Sequence, residues 1–255
     1  MEKRRIDQLL VERGLAESRH KAQALLLAGQ VMVGEQKVDK PGRTVDPESA
    51  IRILEKLPFA SRGGAKLQAA LDSFRISVQG RICADLGAST GGFTDCLLQK
   101  GAALVYAFDV GKGQLAWKLR SDARVVVRDG FNVRNILPRD LPEGITLVTA
   151  DLSFISLTKI LPPLRAALVE RCRTAQVLSV DLLLLVKPQF EVGKGEVGKG
   201  GIVRDAQKRR EALTRVASFA TELGFAIGGD MASPVPGAKG NEEFLLYLKL
   251  APGLC

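Results

Sequence analysis

The stretch "CADLGASTGGFTD" (Cys83–Asp95) decides how the chain folds. A strand expected over Ile82–Leu86 runs into Gly87, Gly91 and Gly92 and then into a helical segment, "FTDCLLQKG". Glycines at such a turn let the backbone bend tightly and approach a ligand with no Cβ in the way. From Lys66 onward strand and helix signals alternate. Strands are expected at Ile82–Leu86, Leu104–Asp109, Arg124–Arg128, Thr146–Asp151, Asp181–Val186, Phe225–Met231 and Phe244–Leu250. The intervening helices include "AKLQAALDSF", "ISLTKILPPLRAALVE" and "DAQKRREALTRVASFATELG"; in the last, Asp205 is the N-cap and Leu213, Val216, Ala220 and Leu223 form the buried stripe. This alternation specifies an α/β fold, a seven-stranded doubly wound sheet that is mostly parallel and covered by helices on both faces. "SPVPGAKGNE" supplies no helix before the last strand, which is therefore expected to return antiparallel.

Upstream the pattern is different. In "RIDQLLVERG" the apolar Ile6, Leu9 and Leu10 share a face and Gly14 stops the helix. Ser18 caps "RHKAQALLLAG", which closes at Gly29, and "QVMVGEQKVDKPG" alternates around a hairpin turn at Gly34. The pattern breaks at Leu57-Pro58-Phe59. The expected division is a small α+β domain over 1–57, a linker over 58–62 and the sheet domain over 63–255.

The 255 residues are 46% hydrophobic, enough for a large core, and carry a net charge of +9 that favours a polyanionic partner such as nucleic acid. Four cysteines without Cys-x-x-Cys spacing, and no apolar leader, suit a reducing cytoplasm. The most apolar run, Val177–Val186, is interrupted by Asp181 and is too short to span a bilayer, so no membrane is expected. His20 is the single histidine, which removes Ser-His-Asp hydrolysis and His-rich metal sites from consideration.

Two loops invite nucleotide readings. "VGKGEVGKGG" imitates a triphosphate loop through Gly193, Gly198 and Lys199, but Gly200 stands where magnesium needs a hydroxyl, and the segment follows a late strand. It reads instead as a lysine-bearing flap. In the first loop Ser89 replaces the second glycine of the dinucleotide fingerprint. Gly87-Ala-Ser89-Thr-Gly91 also matches a hydrolase elbow, yet Ser89 has no histidine partner. The loop together with the strand-end acids Asp109, Asp129 and Asp151 points to an adenosine-containing cofactor, and S-adenosylmethionine fits better than a dinucleotide. Gly87, Ala88, Ser89, Gly91 and Gly92 would cradle it, with Asp85 near its amino-acid end, Asp109 at the ribose and Asp129 at the adenine.

The segment "RIDQLLVERGLAESRHKAQALLLAGQVMVGEQKVDKPG" resembles the alpha-L RNA-binding module of a small-subunit ribosomal protein and of pseudouridine synthases. "SRGGAKL", "DLGASTGGFTD", "DVGKGQLAWKLRSD", "TADLSFISL", "VKPQFEVGKGEVG" and "GIVRD", in that order, resemble the TlyA (hemolysin A) family of rRNA 2′-O-methyltransferases over essentially the whole chain. The resemblance implies an FtsJ-like methyltransferase with a Lys-Asp-Lys-Glu tetrad at Lys66, Asp151, Lys187 and Glu243, with Glu242 a competing carboxylate beside the last. "RDGFN" departs from the charged-Thr-Asn version expected of the family but keeps Asp129 and Asn132 in register. Such a tetrad makes chemical sense, because a ribose hydroxyl is a poor nucleophile until a base draws off its proton. A lysine acts as base only when neutral, a form favoured by nearby positive charge or a helix N-terminus. Lys187 takes the base role in this reading, supported by Asp151. Arg5, Arg19 and Lys21 are the RNA-contact candidates of the small domain, and Arg62, Lys194 and Lys199 those nearer the cleft. The expected activity is methylation of ribosomal RNA, by family at cytidine, with rRNA or a ribosomal subunit as partner. The rivals are a membrane-active hemolysin and an RNA-binding protein that keeps the fold without catalysis.

Overall fold

Apolar residues spaced along two short helices, Ile6, Leu9, Leu10, Ala22 and Leu26, meet Val31, Val38 and Val45 in the core of the first of two units, Met1–Leu57. The computed structural model describes residues 3–27, 29–54, 58–193, 195–198, 200–237 and 240–250. In the first unit β1 (Arg4–Arg5), α1 (Ile6–Glu12) and α2 (Arg19–Leu27) precede β2 (Val31–Val33), β3 (Gln36–Val38), β4 (Thr44–Val45) and β5 (Ile51–Ile53). The Ser18 hydroxyl accepts from the Lys21 N–H at 3.2 Å, the cap expected for α2. β2 pairs antiparallel with β3 across the turn at Gly34, as the alternation predicts. It also pairs with β5, and β1 pairs with β4. Those strands are two or three residues long and offer no period to read.

The second unit, Pro58–Cys255, holds α3 (Gly63–Ser73), β6 (Ile82–Leu86), α4 (Gly92–Gln99), β7 (Leu104–Asp109), α5 (Trp117–Arg120), β8 (Val125–Asp129), β9 (Ile145–Ala150) and α6 (Leu161–Ala175). It continues with β10 (Asp181–Val186), α7 (Pro188–Glu191), α8 (Ala206–Glu222), β11 (Phe225–Ala232) and β12 (Phe244–Leu250). The seven strands lie in the order β11-β12-β10-β9-β6-β7-β8. β6 to β10 pair in parallel, and β12 runs antiparallel to both β10 and β11. Alternate residues feed opposite faces. Leu182, Leu184 and Val186 enter one apolar cluster with α6 and α8, while Leu183 and Leu185 enter another with α3 and α4. Both faces are thus buried, as a parallel sheet requires.

The departures from expectation are local. β8 and β9 are each displaced by one residue from the expected spans. The helix expected from Ile155 begins instead with a 3-10 turn, Leu157–Lys159, and continues from Leu161 with Pro162 in its first turn, where a missing N–H costs nothing. Asp205 caps α8 by accepting from the Gln207 and Lys208 N–H groups. Its stripe is Ala212, Leu213, Val216 and Ala220, with Leu223 only half-buried. The segment 58–62 is not a linker. Phe59 is buried in the α3–α4 cluster, Ala60 N–H donates to Asp95 Oδ2 at 2.8 Å, and Gln99 donates to the Pro58 carbonyl at 2.9 Å. A phenylalanine at a domain start is buried when a core lies within reach, whatever the proline beside it signals. Among the described residues no helix is long and apolar enough to cross a membrane.

Candidate active site

Parallel strands bring their carboxyl ends to one edge, and the turns that follow β6, β7, β9 and β10 meet there. Gly87 takes φ +85° and Gly91 φ +98°, values that a side chain rarely tolerates. A Cβ on Gly87 would lie 2.6 Å from the Asp151 carbonyl oxygen, so the glycine turn and the end of β9 touch backbone to backbone. Asp109, ending β7, ties the turn from the other side. Its Oδ2 accepts from the Ser89 N–H at 2.8 Å and its Oδ1 from the Gly111 N–H at 2.7 Å.

Two adjoining cavities open at this edge. The first, of about 450 Å³, is bordered by Gly87, Ser89, Asp109, Phe131, Asn132 and Phe154. The second, of about 380 Å³, is bordered by Arg62, Lys66, Gly87, Asp151, Ser153 and Lys187. They share Gly87, Ser89, Asp151 and Ser153. Ala88 and Gly92 line the second cavity; Gly91 lines neither, and its missing Cβ makes room for Leu115 and Leu119 instead.

Lys66, Asp151 and Lys187 line the second cavity, and with Glu243 behind Lys66 the four form two ion pairs. Lys66, on the first turn of α3, meets Glu243 at 2.5 Å, with both side chains almost wholly enclosed. Lys187, just beyond β10, lies 2.6 Å from Asp151 Oδ1 and donates to Ser153 Oγ at 2.9 Å. Among the described residues no hydrogen bond is aligned on Asp151 Oδ1, whose contact with Lys187 Nζ is one of charge and distance alone. Glu242, the competing carboxylate, points elsewhere and pairs with Arg209 at 2.6 Å.

Two expected cofactor contacts reach neither of these two cavities. Asp85 is fully buried and accepts from Thr94 at 2.6 Å and Thr149 at 3.1 Å; burial pushes its carboxyl up to about 7 against those bonds. It braces β6 against α4 and β9. Asp129 is drawn to Arg120 at 2.6 Å and also accepts from the Gly113 N–H, contacts that hold its carboxyl below the usual range. Phe131 and Asn132, just beyond it in sequence, border the first cavity instead. Among the RNA candidates, Arg5 and Arg19 both bind the enclosed Asp7, at 3.0 Å each. Lys21 is exposed, and Arg62 is exposed at the rim of the second cavity. Lys194 and Lys199 lie outside the described residues.

Three contributors escape a reading of spacing alone. Ser153 follows the tetrad aspartate in "ADLSF", and only the hydroxyl type hinted at a contact. Gln114 reaches the first cavity from a loop. Phe154 is 89% exposed and adopts φ +63°, an unusual backbone for a bulky residue and one that clusters at functional sites.

A glycine cradle at the switch point of a seven-stranded sheet, opening onto two lysine–carboxylate pairs, defines a methyltransferase of the FtsJ-like class. The FtsJ-like methyltransferase family matches residues 59–250 and the S4 domain matches residues 4–51. The chain belongs to the TlyA, or hemolysin A, family. It is 47% identical to the 16S/23S rRNA (cytidine-2′-O)-methyltransferase TlyA of Mycobacterium tuberculosis over 96% of this chain and 89% of that one. It is 41% identical to Hemolysin A of Brachyspira hyodysenteriae, covering 95% and 98%. The solved structure of a hemolysin-like protein from Streptococcus thermophilus is 43% identical, covers 98% of this chain and 90% of its own, and superposes with a TM-score of 0.72.

Proposed function

We propose that this enzyme methylates the ribose 2′-hydroxyl of cytidine in ribosomal RNA, in the cytoplasm, with S-adenosylmethionine as methyl donor. One observation carries the reading. Two lysines, each paired to a carboxylate, line a cavity that shares its wall with the glycine cradle. S-adenosylmethionine, when bound, supplies an electrophilic methyl group. The residues of the first cavity fit it, because Gly87 leaves a backbone cradle, Asp109 sits where ribose hydroxyls would donate, and Phe131 offers an apolar wall for adenine.

The remaining chemistry belongs to the side chains. Lys187, in its neutral form, takes the 2′-hydroxyl proton as the oxygen attacks in line, and Asp151 keeps the amine turned into the cavity. Lys66 and Glu243, locked to each other at the same sheet edge as Lys187, orient the ribose. Arg62 at the rim meets a phosphate, and the exposed Phe154 ring offers a base a stacking surface. Ribosomal RNA, free or within a subunit, is the partner. The S4 unit holds it through Arg5, Arg19 and Lys21, with Lys194 and Lys199 adding charge from the main unit.

The test is incubation of the purified protein with isotopically labelled S-adenosylmethionine and each unmethylated ribosomal subunit, followed by mapping of the label. Label on cytidine ribose oxygens is the expected result. Label on bases alone, or none on either subunit, overturns the reading.

A further inference from the structure

Lys187 and Asp151 follow neighbouring strands, but a strand end alone does not fix a flexible four-carbon amine. Beyond them two chain segments lie side by side and touch at three levels. Lys187 donates to Ser153, the Phe190 ring lies 5.2 Å from that of Phe154, and Glu191 closes the row. The Glu191 carboxylate accepts from Ser156 Oγ at 2.6 Å and from the Leu157 N–H at 2.8 Å. It is 7% exposed, and burial pushes its carboxyl above the usual range against those two bonds. From behind, Arg215 on α8 donates to the Glu191 carbonyl at 2.9 Å. Nothing in the methyl-transfer chemistry uses this carboxylate. Leaving such a group in the core without partners is costly, so its two bonds are a firm anchor. What they anchor is the loop bearing Ser153 and the left-handed Phe154, a backbone that persists only when its surroundings hold it.

We infer that Glu191 is a positioning residue for methyl transfer: by clamping Ser156 and Leu157 it holds 153–156 against α7, so that Ser153 keeps the Lys187 amine at Asp151. The inference rests on Lys187 being the base. Glu191→Ala frees the loop and lets the amine sample orientations from which the ribose proton is out of reach. Glu191→Gln keeps a carbonyl for the Leu157 N–H, and its amide can donate to Ser156 Oγ, so the clamp survives.

The test is single-turnover methylation at saturating cofactor and RNA, run on the full chain. Glu191→Ala should slow transfer by about 10–100-fold, the scale of a misplaced catalytic group. The loss should lie in the saturated rate rather than in the concentrations needed for saturation, and Glu191→Gln should return to within about threefold of the parent. Ser156→Ala, which removes one of the two bonds, should fall between them, and it carries the test if the alanine variant at 191 does not fold. Full-speed transfer by Glu191→Ala or Ser156→Ala, or a loss seen only in KM, overturns the inference. Lys187→Ala run alongside separates the two claims. If it keeps its rate, the base assignment fails and takes Glu191 with it; if it is inactive while Glu191→Ala is not, Glu191 alone fails.

Discussion

Asp7 in the small unit and Asp85 in the main unit are both fully buried carboxylates, yet their surroundings are opposite. Asp7 receives Arg5, Arg19 and Gln23, and these partners, Arg5 foremost, hold its carboxyl well below the ordinary range. Asp85 receives the Thr94 and Thr149 hydroxyls and the Thr94 backbone N–H, and burial carries it the other way. The small unit spends its acid on holding two half-exposed guanidiniums, Arg5 through two nitrogens and Arg19 through one. The main unit does the reverse. Its organised cations, Lys66 and Lys187, are drawn out of solvent, each against its own acid. In the proposed function the presented cations serve binding and the enclosed cations serve chemistry.

The sharpest way to break that contrast is at Lys187. Lys187→Ala should lower the single-turnover rate by about 10²–10⁴-fold while both ligands still bind. Lys187→Arg should not restore it, because a guanidinium does not give up its proton. A variant that keeps its rate and loses RNA affinity would place Lys187 with the presented cations.

The two buried acids should also separate by pH. Asp85 has a folded carboxyl near 7 against an ordinary 3.8, so the native state binds the extra proton between those values. Stability should therefore fall as pH rises from about 4 to 7 and then level off, by at most about 1.4 kcal/mol per pH unit. Asp85→Asn should flatten that slope in urea unfolding. Asp7, held low, contributes fully above its ordinary value and loses that contribution as pH falls below it, so Asp7→Asn should blunt acid unfolding of the small unit. Slopes of one sign for both would remove the contrast.

Smaller effects sharpen it. Asp109→Ala removes both the ribose acceptor and the tie to Ser89, and calorimetry should show cofactor binding weakened by roughly 1.5–3 kcal/mol. Unchanged affinity in a folded variant would take Asp109 out of the site. The smallest effect belongs to Arg19→Ala, which should leave the saturated rate alone and lower the slope of log affinity against log salt by about 1. An unchanged slope would mean that Arg19 serves only Asp7.

The sheet was legible because each strand is a short apolar run between turn residues, and β12 could be set antiparallel from the missing helix before it. Which way a strand-end acid faces was not legible. Asp85, Asp109 and Asp129 look alike in sequence, and of the three only Asp109 lines either of the two cavities, because Thr94 and Arg120 claim the other two. The tetrad could be matched by motif, but choosing between Glu242 and Glu243 needed Arg209, distant in sequence and adjacent in space. The loop clamp around Glu191 left no pattern at all, since its partners come from a different segment.

The seat of β12 between β10 and β11 has a consequence for timing. A nascent chain carries Lys66, Asp151 and Lys187 well before Glu243 leaves the ribosome, and until then β10 has an open edge and Lys66 lacks its carboxylate. The proposed catalytic edge is completed only with β12, the last of the described strands in chain order. A chain synthesised only as far as Lys187 therefore holds three of the four proposed tetrad residues and cannot yet close the Lys66 pair.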